Sequence, residues 1–149
     1  MSRPATSPAE QLRRAIAGRV VALFNDASRG EAPVTRSEDS FFGKGSIAWR
    51  VHGDVTSMMV GGMASLMLQM LRPDVLAGVW DHSNFRTDMH GRLRRTARFI
   101  ATTTYGERHQ AQAAIDRVRR THDNVGGMLP DGTPYRASDP AALAWVHVT

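Results

Sequence analysis

The chain has 149 residues, the length of one domain, and 42% of them are hydrophobic, which is enough for a buried core. It contains no cysteine, so disulfides, thiolate zinc sites and cysteine-ligated iron are excluded. The formal charge of +5 comes almost entirely from arginine, because Lys44 is the only lysine. Acidic residues are interspersed among the basic ones. The charge therefore weakly favours anionic partners, and with no evident recognition helix or stacking aromatics we expect no nucleic-acid binding.

One apolar stretch, residues 55–71, dominates the hydropathy of the chain. Its 17 residues fall short of the roughly 20 that span a bilayer, and Arg72 and Pro73 follow it directly. We therefore expect a helix buried inside the protein and no membrane span. The first 20 residues lack the apolar core of a secretory signal, which predicts a cytoplasmic location.

The N-terminal half predicts two helices separated by a loop. Residues 1–8 are expected to be disordered. Residues 8–25 predict a helix, and residues 25–45 predict a loop. The apolar face of that first helix carries Leu12, Ile16, Val20 and Leu23. Residues 46–52 are ambiguous between a strand and a helical turn, and Asp54 is a candidate N-cap for the apolar helix.

Gly61 and Gly62 lie in the middle of the apolar helix. Each glycine costs about 1 kcal/mol relative to alanine inside a helix. The usual reason for such a cost is close approach of a flat partner or of another backbone. These glycines therefore mark a candidate contact site.

The C-terminal half predicts further helices and a small hairpin. Residues 73–79 begin a helix that ends near Trp80, and residues 81–91 predict a polar loop. Two helices over residues 92–125 are expected to join at Gly106 in a left-handed conformation. The glycines at 126–127 should end the second of these helices, and residues 130–134 have the composition of a turn.

A last helix should begin at Ser138 or Asp139, with Pro140 in its first turn. Its apolar face, at Trp145 and Val148, is left unfinished. We therefore interpret residues 1–149 as a single domain that lacks its C-terminal helices. Those helices or another copy of the chain, in a homo-oligomer, would cover this face.

Together these elements predict an all-α fold of about five to seven helices. We expect an irregular bundle around one buried apolar central helix, residues 55–71. The three tryptophans, Trp49, Trp80 and Trp145, are expected in the core.

The candidate site lies on the paired helices. Arg98 and Thr102 are four residues apart and share one helix face. An apolar stripe of Ala111, Ile115 and Val118 ends at His122. A guanidinium, a hydroxyl and an inward imidazole suit an anionic, iron-bearing cofactor.

Each of these residues also has a simpler interpretation. His122 has the pattern of a hydrogen-bonded core histidine, and Thr102 has that of a hydroxyl bonded to the carbonyl of Arg98. Three nearby arginines are expected on a solvated face: Arg92, Arg94 and Arg95. A metal site without haem, formed by His82, Asp88 and His90, is a weaker alternative, and the same loop could shape a substrate entrance.

An ordered series of motifs over residues 50–149 resembles the MpaB and rubber-oxygenase (latex-clearing protein) family. The series is Gly61-Gly62, LRPDVLAGVWDHSNFRTD, GRLRRTARFIATTTYG, RVRRTHDNV, LPDGTPYRASDP and AWVHVT. The resemblance implies a mainly helical haem b protein that oxidises carbon–carbon double bonds with dioxygen. It also implies that His122 is the proximal iron ligand, that Arg98 and Thr102 lie near the haem, and that His147 matches a second family histidine.

The resemblance therefore predicts an oxygenase acting with dioxygen on an apolar, alkene-bearing small molecule. Rubber is not expected as the substrate, because the extra segments of the latex-clearing branch are not found. The alternative is a non-catalytic helical fragment or interaction module without bound cofactor.

Overall fold

The computed structural model describes residues 7–25 and 30–149, without the side chains of Leu23 and Phe24. These residues form seven helices and one two-stranded antiparallel sheet, which confirms the predicted helical fold. The helices are α1 Pro8–Phe24, α2 Ile47–Gly53, α3 Val55–Gln69, α4 Pro73–His82, α5 Met89–Tyr105, α6 Arg108–Asp123 and α7 Pro140–Val148. The strands are β1 Gly126–Met128 and β2 Pro134–Arg136.

Side-chain caps start several of the helices. Ser7 accepts a hydrogen bond from the Glu10 amide at the start of α1. The disorder predicted for residues 1–8 falls mostly on residues 1–6, which lie outside the described residues. The predicted apolar face of α1 is only partly buried, since Leu12 and Ile16 are exposed. The side chain of Leu23, predicted on the same face, lies outside the described part of the chain.

The ambiguous segment before α3 is helical. The Ser46 hydroxyl accepts a hydrogen bond from the Trp49 amide and so caps α2. Asp54 accepts one from the Ser57 amide, which confirms it as the N-cap of α3. Two successive caps explain why the chain forms two short helices here and not a strand.

The prediction that α3 is the buried central helix is wrong. The segment is helical, but it contains no buried residue. Val60 is 59% exposed and Met67 is 71% exposed. The main helices packed against α3 are α2 and α7, which leave much of its apolar surface in contact with solvent. Among the described helices, none combines the length and the apolar character that a membrane crossing requires.

The glycines of α3 also face open space. A methyl group built at Gly61 or at Gly62 would meet no atom of another residue within 4 Å. The close approach that the sequence predicts at these positions is therefore not made by the described part of the chain.

The junction between α5 and α6, residues 105–108, differs from its prediction. We call these residues the elbow. Gly106 has φ −67° and ψ 164°, so its backbone is extended and not left-handed. Glycine is needed there for a different reason: a Cβ would lie 2.6 Å from the carbonyl oxygen of Thr102. The two helices then pack against each other, with Ala111 of α6 fully buried between them.

The core near the elbow is aromatic. Trp49 and Tyr105 are buried, and their rings meet edge to face with centroids 5.0 Å apart. The Tyr105 hydroxyl donates a hydrogen bond of 3.2 Å to the Trp49 carbonyl. The expectation of a core position is confirmed for Trp49 only. Trp80 is 50% exposed, and Trp145 is half-buried.

The C-terminal region contains the predicted hairpin and the last helix. The strands pair in the register Gly126↔Arg136 and Gly127↔Tyr135. Helix α6 ends at Asp123, so the glycine pair begins β1 and does not end the helix. A Cβ at Gly127 would lie 2.9 Å from the Tyr135 hydroxyl oxygen, which explains why a side chain is excluded there. Asp139 caps α7 by accepting from two amides, as predicted.

Candidate functional site

His122 lies in the last turn of α6 and is half-buried. Burial lowers the pKa of its imidazole, and the charge of the adjacent Asp123 opposes that change only in part. The ring is therefore neutral near pH 7. Within the described residues, neither ring nitrogen has a hydrogen-bond partner, so the interpretation as a hydrogen-bonded core histidine has no support.

Arg98 is exposed on α5 and points toward the loop that precedes α2. Its Nη1 donates a hydrogen bond of 3.0 Å to the carbonyl oxygen of Ala32. Ion pairs join several other arginines to carboxylates, but none is found for Arg98 in the described part of the chain. A carbonyl dipole leaves the guanidinium charge uncompensated, so the group remains able to bind an anion.

Thr102 is half-buried one turn after Arg98 and lies beside the elbow. Its Cγ2 atom is 3.4 Å from the position that a Gly106 Cβ would take. The neighbouring Thr103 hydroxyl donates to the carbonyls of Phe99 and Ile100. The back-bonding considered for Thr102 is therefore made by Thr103 on the same helix.

The site residues lie at different distances from the elbow. His122 is 16 residues beyond Gly106 and Arg98 is eight residues before it. At 1.5 Å per residue, these positions are about 24 Å and about 12 Å along their helices from the elbow. Over the described residues, no hydrogen bond or ion pair joins His122 to Arg98 or to Thr102.

His147, Gly61 and Gly62 lie on two helices other than α5 and α6. His147 is exposed in the last turn of α7, and α7 packs on α3. The Ser65 hydroxyl donates to the Thr149 carbonyl, and the Trp145 indole donates to the Leu68 carbonyl at 3.3 Å. These two bonds join helix α3 to helix α7, but they involve none of the three candidate residues.

The alternative metal site is not formed. The His82 imidazole lies 3.0 Å from the Gly126 carbonyl oxygen, whereas the Asp88 carboxylate caps α5 and pairs with Arg95. No group of three or more metal-ligating side chains occurs in the described ranges, 7–25 and 30–149. His82, Asp88 and His90 therefore do not support a metal site of their own.

Two shallow cavities flank the hairpin. Their volumes are about 260 Å³ and about 410 Å³. Their shared lining is Pro134, Tyr135, Arg136 and Asp139. None of the candidate residues on α3, α5, α6 or α7 lines either cavity.

Sequence reasoning missed two polar arrangements. Arg92, predicted on a solvated face, is half-buried, and its Nη1 lies 2.6 Å from the Ser83 hydroxyl oxygen. Burial lowers the pKa of Arg92, and the nearby charge of Arg95 adds to that effect. The Tyr135 hydroxyl donates to Asp81 at 2.7 Å across 54 residues of sequence. No local pattern in the sequence indicates either contact.

Of three comparisons with known proteins, one found a match. Residues 49–149 match a family model described as ER-bound oxygenase mpaB/B'/Rubber oxygenase, catalytic domain. No curated protein and no solved structure matched the chain. The matched region includes every candidate site residue discussed above and begins at the buried Trp49.

Proposed function

The chain belongs to the mpaB/rubber oxygenase catalytic-domain family, and on that premise we propose that it is a haem b-dependent oxygenase. Its substrate class would be apolar, alkene-bearing small molecules, with dioxygen as the second substrate. The observation that carries the proposal is His122, a half-buried imidazole with both ring nitrogens free of partners among the described residues. A cytoplasmic location stays a prediction from the sequence.

The chemistry of His122 fits an axial ligand of haem iron. Iron binds the neutral imidazole, and burial lowers the pKa of His122, which favours the neutral form. Haem, when bound, supplies the activation of dioxygen. The protein contributes the donor nitrogen, the surroundings that exclude water, and the surface that binds the apolar substrate.

The other candidates have roles that follow from their chemistry. Arg98 keeps an uncompensated guanidinium, which suits a haem propionate. Thr102 would offer a hydroxyl on the same helix face. Gly61 and Gly62 leave an open helix face on which a flat ring could lie. His147 is an exposed second imidazole whose role in the site stays a prediction.

The surface of α3 supports the proposed substrate class. Its large exposed side chains are aliphatic or methionine: Met59, Val60, Met63, Met67 and Leu68. No charged residue occurs between Val55 and Gln69. Such a surface favours an apolar ligand over a charged one, because an apolar ligand releases water from it at little polar cost.

The experiment is a haem titration of the native chain followed by oxygen uptake. A Soret band should develop, and the haem-loaded protein should consume dioxygen with an alkene-bearing lipid or terpene. The matched control is the saturated analogue of the same compound, which should give no uptake above background. Equal uptake with both compounds, or a chain that binds haem without any uptake, would contradict the oxygenase proposal.

The exposed face of α3 favours a second candidate, a non-catalytic interaction module without cofactor. Monomeric proteins rarely leave so extended an apolar surface in water. Under either candidate, we propose that this face is covered by a second copy of the chain or by further helices of the domain. A chain that self-associates but develops no Soret band would identify the module.

A further inference from the structure

The loop before α2 is attached to the elbow at both helix ends. We call residues 31–46 the strap. The Ser37 amide donates to the Tyr105 carbonyl at 2.8 Å, and the Arg108 amide donates to the Asp39 carbonyl at 2.9 Å. The last carbonyls of α5 and the first amides of α6 have no partners within their own helices. The strap therefore satisfies one such group on each side of the elbow.

Two arginines add side-chain contacts to these backbone bonds. The guanidinium of Arg36 lies 4.7 Å from the centroid of the Tyr105 ring and 5.8 Å from that of Trp49. From the other side, Arg108 lies 5.1 Å from the centroid of the Phe41 ring and 3.6 Å from the Asp39 carboxylate. Arg36 of the strap thus contacts the elbow, and Arg108 of the elbow contacts the strap.

The strap also binds Arg98. The Ala32 carbonyl at its N-terminal end accepts the Nη1 hydrogen bond described above. The Ala32 carbonyl occupies one of the five N–H donors of the guanidinium. Attachment of the strap therefore leaves Arg98 one donor fewer for an anion.

The strap is less firmly held than the helices that it covers. It forms no helix or strand, and most of its residues are exposed. Segments with few buried apolar contacts open at a lower free energy than the whole domain. The strap precedes residue 49, where the family match begins.

We infer that the strap is a latch: residues 31–46 open as one unit, and Arg98 is released only when they do. Its consequence for the cofactor rests on the proposed function, in which Arg98 binds a haem propionate. In the closed state Arg98 is held by Ala32. In the open state all five N–H donors of the guanidinium are available to the carboxylate, so latch opening and haem binding favour each other.

Amide hydrogen exchange of the native chain without haem tests the latch. The amides of Ser37 and Arg108 report its two backbone bonds, and the Ile115 amide reports the middle of α6. The Ser37 and Arg108 amides should exchange at similar rates, at least about tenfold faster than the Ile115 amide. Arg36→Ala should accelerate both by about 3- to 30-fold and leave Ile115 unchanged.

Two further variants complete the design. Arg98→Ala should also accelerate Ser37 and Arg108, by about 2- to 10-fold, because it removes the Ala32 contact. Arg50→Ala is the matched control: it removes an exposed arginine from α2 and should change neither amide. Faster exchange of the Ser37 amide without faster exchange of the Arg108 amide would overturn the latch. So would an Arg98→Ala variant in which neither amide changes.

Haem titration then tests the link to the cofactor. Arg36→Ala should bind haem more tightly than the native chain by up to about tenfold, and Arg36→Ala with Arg98→Ala should not. Equal affinity in Arg36→Ala and the native chain would overturn the control of Arg98 by the strap. Failure of every variant to bind haem would contradict the proposed function, whereas the exchange rates would still decide whether the strap is a latch.

Discussion

The Tyr135 hydroxyl lies 2.7 Å from the Oδ2 atom of Asp81, which ties the hairpin to the end of α4. The Tyr135 ring is buried, and it packs where Gly127 leaves no side chain. Burial, and then the bond to the Asp81 carboxylate, raise the pKa of Tyr135 to about 12. Together with the contact of 3.0 Å between the His82 imidazole and the Gly126 carbonyl oxygen, the pair joins the end of α4 to the hairpin.

Tyr135→Phe should lower the free energy of unfolding by about 1–2 kcal/mol, because Asp81 loses its donor while the ring is kept. The raised pKa also predicts a pH effect. The contribution of the native hydroxyl is fully present below the unfolded pKa of about 10 and is lost as the pH rises through about 12. Urea denaturation of both proteins at several alkaline pH values measures it. An identical alkaline loss of stability in the variant would contradict the assignment.

Gly106→Ala should destabilise the chain by about 1–3 kcal/mol, because the new methyl group would lie 2.6 Å from the Thr102 carbonyl oxygen. Gly62→Ala is the matched control. Its methyl group meets nothing within 4 Å, so better helix propensity should raise stability by up to about 1 kcal/mol. Thermal or urea unfolding of the two variants without cofactor gives both values. Equal stability changes would show that the elbow does not require glycine.

His122 should make the native chain sensitive to mild acid. Its pKa is lower in the folded state than in the unfolded chain, so unfolding takes up a proton and stability falls as the pH drops below about 6.5. His122→Gln should remove part of this loss between about pH 7 and pH 5. The control is His109→Gln, since His109 is exposed beside Glu107. Denaturation midpoints at both pH values test the difference, and equal slopes in all three proteins would contradict it.

The exposed face of α3 predicts self-association. Met67→Lys should shift the chain toward monomer, because it places a charge on the exposed apolar face of α3. Leu12→Lys is the control: Leu12 is similarly exposed but lies on a different helix, α1. Sedimentation velocity at several concentrations measures both variants. A native chain that stays monomeric throughout would remove the basis for a second copy on α3.

Local chemistry made much of the fold predictable. Asp54 and Asp139 were identifiable as caps because each acts on amides within three residues of itself. The hairpin followed from turn residues in the same way, and Gly132 does adopt a positive φ of 84°. Such features depend on short stretches of sequence, so the local pattern of residues is enough to predict them.

Features that depend on distant elements were not predictable. The apolar sequence of α3 predicts burial, but burial requires other helices to cover it, and α2 and α7 cover only part. Gly106 was expected to be left-handed, whereas its role is set by the Thr102 carbonyl one turn earlier. For the candidate site, the sequence identified His122, but it could not show that Arg98 is held by Ala32.

The proposed function requires that His122 would ligate the iron of a bound haem. The most direct measurement is the Soret spectrum of reconstituted native protein beside His122→Ala, His109→Ala and His147→Ala. We expect a histidine-ligated spectrum in the native chain, its loss or at least tenfold weaker haem binding in His122→Ala, and retention in the other two. His109→Ala should also cost under about 0.5 kcal/mol of stability, as for a surface residue. An unchanged spectrum in His122→Ala with loss in His147→Ala, or no haem uptake by the native chain, would contradict this assignment.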